Sequence, residues 1–167
     1  MDIAARDVQP TSYLEIGVAE GASLLAVLSA APSLRRLVLC DTWGGIDGGT
    51  GRGSHAHICD LFGRVHYGGE AWFLDGLSRE LIPTIPRSPL FDLATIDGEH
   101  TADAAAADLA NVWPLLRPGG MLVMDDLERL PLRRAWDAFL ASTGAERVYE
   151  LDDVTNRTAI VRKREAA

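Results

Sequence analysis

Residues 13–23 read YLEIGVAEGAS, and this stretch decides the fold. Tyr13, Leu14 and Ile16 surround a single acid, Glu15, in a strand-like run that stops at Gly17. Gly21 follows, and from Ala22 small and apolar residues continue in a helical pattern as far as Pro32. A short apolar strand, a glycine-punctuated turn and a helix form the unit that binds nucleotide-like cofactors. Glycine lets the backbone approach a ligand closely, and the helix start aims free N–H groups and a positive dipole end at negative ligand groups. Ala19 stands where the dinucleotide fingerprint G-x-G-x-x-G has its middle glycine. That glycine admits a pyrophosphate, so Ala19 argues against a dinucleotide cofactor.

Outward from this unit, strand and helix patterns alternate. Strands are expected at residues 13–17, 36–41 (RLVLCD), 71–75 (AWFLD), 91–97 (FDLATID) and 121–125 (MLVMD), with a closing pair at 147–151 and 158–162. Helices are expected at 22–31, 55–64, 78–82, 101–116 and 132–142; Pro118-Gly119-Gly120 stops the fourth and Gly144 the fifth. Continuously apolar strands separated by helices predict an α/β fold, a doubly wound, mostly parallel seven-stranded sheet with an antiparallel edge strand.

The 167 residues are long enough for one domain with a real core, and 47% hydrophobic with 24% charged residues is ordinary for a globular chain. A net charge of −8 argues against nucleic acid as a partner. The short basic groups Arg35-Arg36 and Arg162-Lys163-Arg164 do not reverse that. No run approaches the ~18 apolar residues of a membrane span, and the opening MDIAARDVQP has no apolar signal region. The expectation is a soluble, cytoplasmic protein that uses no membrane. Cys40 and Cys59 show no zinc spacing.

Acids recur where the parallel strands end: Asp41, Asp75, Asp97 and the pair Asp125-Asp126. One such acid is ordinarily a cap or turn former. Four strand ends on one rim point to a site, because ligands of open parallel sheets bind beyond the carboxyl ends of the strands.

With the glycine turn EIGVAEG, Asp41, the segment Asp75-Gly76-Leu77-Ser78, and the stretch 91–126 with its D-G-E-H, P-G-G and D-D elements, the chain resembles the class I S-adenosylmethionine-dependent methyltransferases. The branch it resembles is the metal-dependent O-methyltransferases acting on sugars and catechol-like diols. The resemblance covers residues 12–163 and implies a Rossmann-like fold, with residues 1–167 as one methyltransferase domain. It places Gly17, Gly21 and Ser23 of the turn against the cofactor, Asp41 on the ribose hydroxyls, and Asp75, Gly76, Leu77 and Ser78 beside the adenine. Glu15 would reach the cofactor's ammonium, or else is a strand-end acid satisfied by backbone amides. Trp43 would stack on adenine or pack as an ordinary aromatic.

By the same resemblance Asp97, Asp125 and Asp126 hold a divalent cation, Mg²⁺, leaving positions for substrate oxygens. The alternative is that Asp97 only binds cofactor and Asp126 caps the next helix. Glu99 matches the general base, and His100 is the second candidate, or else a loop histidine that orients Asp97 or Asp125. Thr101 would cap the alanine-rich helix. Residues 43–69 suggest a flap, with zinc at the three histidines His55, His57 and His66 a minor alternative. About a dozen residues precede the first strand, too few for a substantial roof. The acceptor pocket is therefore open, built by the flap, or completed by a second subunit of a homo-oligomer. The activity implied is Mg²⁺-assisted methyl transfer from S-adenosylmethionine to a hydroxyl of a small molecule, sugar or diol-like. The alternatives are a metal-independent methyltransferase, or a cofactor-binding module without transferase activity.

Overall fold

A computed structural model describes residues 1–43, 53–152 and 157–165. Strands β1 (Ser12–Ile16), β2 (Arg36–Asp41), β3 (Glu70–Asp75), β4 (Phe91–Ile96) and β5 (Leu116–Met124) run parallel. β6 (Glu146–Asp152) and β7 (Arg157–Arg162) complete a sheet of order β3-β2-β1-β4-β5-β7-β6. β7 is antiparallel to both its neighbours, so the closing pair forms the expected antiparallel edge. The chain builds outward from β1 in one direction through β2 and β3, then returns to place β4 on the other side of β1. That reversal opens a crevice at the carboxyl ends of β1 and β4.

The strand period of two explains the continuous apolar runs. Leu14, Val38, Ala94 and Leu122 face one side, where α5 (Ala102–Val112) and α6 (Leu130–Thr143) bury Leu109, Val112 and Trp136. Tyr13, Leu37, Leu39 and Val123 face the other, covered by α1 (Asp2–Val8), α2 (Ala22–Ala30) and α3 (His55–Arg64). The small α4 (Ser78–Leu81) follows β3.

Three expectations change. Residues 55–64 are not a flap: α3 buries Ile58 and Leu61 on the sheet as the crossover from β2 to β3. The glycine-rich residues 44–52 lie outside the described residues. Pro118-Gly119-Gly120 does not separate helix from strand but lies inside β5, whose register with β4 shifts between Phe91 and Leu93. The preceding helix ends earlier, at Val112, and a 3-10 turn carrying Pro114 leads into β5. Finally, α1 has a pattern too short to announce itself, since only Ala4 and Ala5 of its seven residues are buried.

The amino end of β4 is tied by one carboxylate. Asp92 Oδ2 accepts from the Thr11 N–H (2.8 Å), the Thr11 hydroxyl (2.8 Å) and the Ser12 N–H (2.9 Å), and Oδ1 accepts from Arg117 Nε. Burial alone would raise this carboxyl; the bonds from Arg117, Thr11 and Ser12 outweigh it and hold the pKa at about 2. Asp92→Asn is expected to lower stability at pH 7 by about 1–3 kcal/mol in urea unfolding. The difference should shrink as pH falls from about 4 toward 2, because a carboxyl depressed in the folded state loses its contribution as it protonates.

Candidate functional site

The turn after β1 is fixed from both sides. Gly17 (φ 82°) passes so close to the end of β4 that a Cβ there would lie 1.8 Å from the Asp97 carbonyl oxygen. Ala19 takes a left-handed conformation (φ 46°), which costs an alanine about 1–2 kcal/mol. Two neighbours hold it there. Asp41 Oδ2 accepts from the Val18 and Ala19 N–H groups, both at 2.8 Å, and Gly53 lies against the Ala19 carbonyl, where a Cβ would come within 1.8 Å. Asp41 Oδ1 accepts from the Trp43 N–H at 2.8 Å. The acid assigned to the ribose thus also builds the turn. Gly21 (φ 79°) then starts α2.

Gly17, Ala19 and Ser23 line a cleft of about 570 Å³ together with Asp97, Asp125 and the start of the chain at Met1 and Asp2. Ser23 donates to Glu15 Oε1, while Glu15 Oε2 is buried with no hydrogen-bond partner. Burial pushes the Glu15 carboxyl up to about 8; the Ser23 hydroxyl and the nearby Tyr13 oppose this, and the charges of Asp97 and Asp41 add to it. An orphaned buried oxygen beside a cleft suits a cationic group such as an ammonium.

At the end of β3, Asp75 Oδ1 accepts from Trp43 Nε1 (3.0 Å) and pairs with His55 Nε2 (2.7 Å). The His55 ring lies 4.3 Å from the Phe73 ring and edge-on to Trp43 at 5.0 Å. His55 was missed as part of this wall, since no local spacing links it to residue 75. His57 Nε2 lies 3.1 Å from the Glu20 carbonyl, so the two histidines have separate partners and do not form a shared zinc site. The Gly76 N–H donates to the Asp41 carbonyl at 3.0 Å, which brings the start of the segment Gly76, Leu77 and Ser78 beside Asp41. Asp108, also missed, is buried on α5 beneath Gly98; burial pushes it up to about 6, opposed by Ser78.

The acids after β4 and β5 separate. Asp126 has φ 58°, a left-handed turn that an aspartate tolerates, and it sends the two neighbouring carboxylates to different partners. Asp125 borders the cleft and accepts from the Thr158 hydroxyl. Asp126 Oδ2 pairs with His100 Nε2 at 2.6 Å and with Arg129 Nε at 3.3 Å. Asp97 Oδ1 lies 3.9 Å from His100 Nε2. One ligand atom each from Asp97, His100 and Asp126 lies within 4.8 Å of the others, and Asp125 is not in that group. Burial, then Asp125 and Asp126, push the Asp97 carboxyl up to about 7, with Arg129 opposing. Glu99 is engaged elsewhere: Arg79 donates to Oε2 and Thr101 to Oε1, both at 3.1 Å. Thr101 also caps α5 by accepting from the Ala104 N–H.

This arrangement agrees with what the chain is similar to. The family model described as "Methyltransferase domain" matches residues 14–127. The O-methyltransferase NovP superposes with a TM-score of 0.74 at 20% identity, covering 98% of this chain and 78% of that one. An O-methyltransferase from Bacillus cereus in complex with SAH gives 0.70 at 16% identity, covering 97% and 78%. The O-methyltransferase TomG from Streptomyces achromogenes, in complex with SAM, gives 0.67 at 16% identity, covering 97% and 77%. A search of curated proteins returned no significant match. No helix among the described residues is long and apolar enough to cross a membrane. Glycine turn, acid-bearing rim and family model agree: the chain belongs to the methyltransferase-domain family and is an S-adenosylmethionine-dependent methyltransferase.

Proposed function

We propose that this single-domain protein transfers a methyl group to a hydroxyl of a small, sugar- or diol-like acceptor, with His100 as the base. The observation that carries this reading is the 2.6 Å His100–Asp126 pair on the rim that also borders the cofactor cleft. S-adenosylmethionine, when bound, supplies an electrophilic methyl group. The protein's tasks are then to hold it, align an oxygen with it and take up the hydroxyl proton. Glu15 and Ser23 take the ammonium end, Asp41 accepts from the ribose hydroxyls, and Asp75 with Trp43, His55 and Phe73 frames the base. With Nε2–H donating to Asp126, His100 presents Nδ1 as the proton acceptor. The carboxylate fixes the tautomer and stabilises the imidazolium that forms. Glu99, with both oxygens bonded, is less available for that task.

The resemblance also implies Mg²⁺ on Asp97, Asp125 and Asp126. Mg²⁺ demands near-octahedral coordination, chiefly by carboxylate and water oxygens. Here Asp125 is bonded to Thr158, Asp126 to His100 with Arg129 beside it, and an imidazole stands as the third converging donor. These side chains, as arranged, do not fit a Mg²⁺ ion, and the reading needs no metal step.

His100→Gln and Asp126→Asn should each lower kcat by about 10²-fold or more, followed as S-adenosylhomocysteine release over a polyol panel, with cofactor affinity kept. Unchanged turnover in either variant removes His100 as the base. Glu15→Gln should weaken S-adenosylhomocysteine binding about tenfold or more in calorimetry, as expected for losing a bond to a charged group. The cofactor-free protein should lose stability as pH rises from about 4.5 to 8. The Glu15 carboxyl keeps its proton over that window only when folded, so the folded state binds more protons. Glu15→Gln should weaken that dependence in thermal unfolding, leaving the smaller part due to Asp97 and Asp108.

A further inference from the structure

Arg129 places a guanidinium beside Asp126 on this rim. It is the N-cap residue of α6, and its backbone N–H donates to the Asp126 carbonyl at 3.0 Å. This tight turn folds its side chain back over Asp126. Nε lies 3.3 Å from Asp126 Oδ2 and 3.8 Å from Glu128 Oε1, and the side chain is half exposed. The oxygen it approaches is the same one that pairs with His100 Nε2. Asp126 Oδ2 thus already lies against two nitrogen groups, one of them permanently cationic. Arg129 also acts electrostatically on Asp97.

We infer that Arg129 is the built-in cation of this rim: it aligns Asp126 with His100 and keeps divalent ions out. It is a positioning residue, acting through Asp126. A guanidinium suits this role because it stays protonated at all working pH values and holds its donors in a fixed plane. A metal ion entering between Asp97 and Asp126 would meet a like charge at short range, in partly desolvated surroundings where screening is weak.

The inference rests on the reading of this rim as the transfer site, but its test is read without turnover. The full chain, with and without S-adenosylhomocysteine, is titrated with Mn²⁺ and the free ion followed by electron paramagnetic resonance. Arg129→Ala should bind Mn²⁺ about tenfold or more tightly than the parent, and Arg129→Lys, which keeps the charge, should stay within about threefold of the parent. Adding Asp126→Asn to Arg129→Ala should remove the gained binding, which locates the ion on this rim. The inference is overturned if parent and Arg129→Ala bind Mn²⁺ equally, or if neither binds it. Arg129 is half exposed, and thermal unfolding checks that the variants fold. Calorimetry with S-adenosylhomocysteine on the same samples tests the transfer reading separately. A parent that binds no cofactor overturns that reading and leaves the Mn²⁺ comparison intact.

Discussion

The carbonyl oxygen of Asp97 occupies the space that a side chain on residue 17 would need. The site depends on this close approach of β1's turn to β4's end. It brings the first turn and the acid-bearing rim into one cleft, and only glycine permits it. Asp41 completes the constraint from the β2 side by accepting from the Val18 and Ala19 N–H groups. Three adjacent strand ends are thereby joined through one loop. The left-handed Ala19 is held by this arrangement rather than chosen by its own conformational preference.

The two ends of β4 show how one residue type serves opposite purposes. At the amino end, Asp92 meets Arg117, Thr11 and Ser12, and its carboxyl is held down to about 2. At the carboxyl end, burial and then the charges of Asp125 and Asp126 push Asp97 up to about 7, and burial pushes Glu15, on the adjacent β1, up to about 8. A satisfied acid stabilises the sheet. Acids left with burial and like charges destabilise the empty protein and are complementary to a cationic ligand. That asymmetry is the physical mark of a functional end.

Likeness to solved O-methyltransferases at 16–20% identity describes the scaffold. The chemistry is a matter of particular side chains on it. A left-handed residue at Asp126 divides the D-D pair, giving Asp125 to Thr158 and the cleft, and Asp126 to His100 and Arg129. Two carboxylates adjacent in sequence therefore do different work. The same turn that separates them brings Arg129 back over the rim.

The elements of this fold were legible because their signals are local. Apolar runs at β1, β2 and β4, the glycines at 17 and 21, and the Thr101 cap each depend on a few neighbouring residues. α1 was not legible, because seven residues that bury two alanines carry almost no periodic signal. Nor was the place of Pro118-Gly119-Gly120, where pairing to β4 overrides the usual meaning of proline and glycine. The sequence by itself determined which residues end each strand, and so which acids could share a rim. Only the tertiary structure decided how they pair. His55 reaches Asp75 across twenty residues, Arg79 takes Glu99 away from the rim, and His100 and Arg129 converge on one oxygen of Asp126. Those choices depend on distances between elements far apart in the chain, and side-chain spacing within one element cannot specify them.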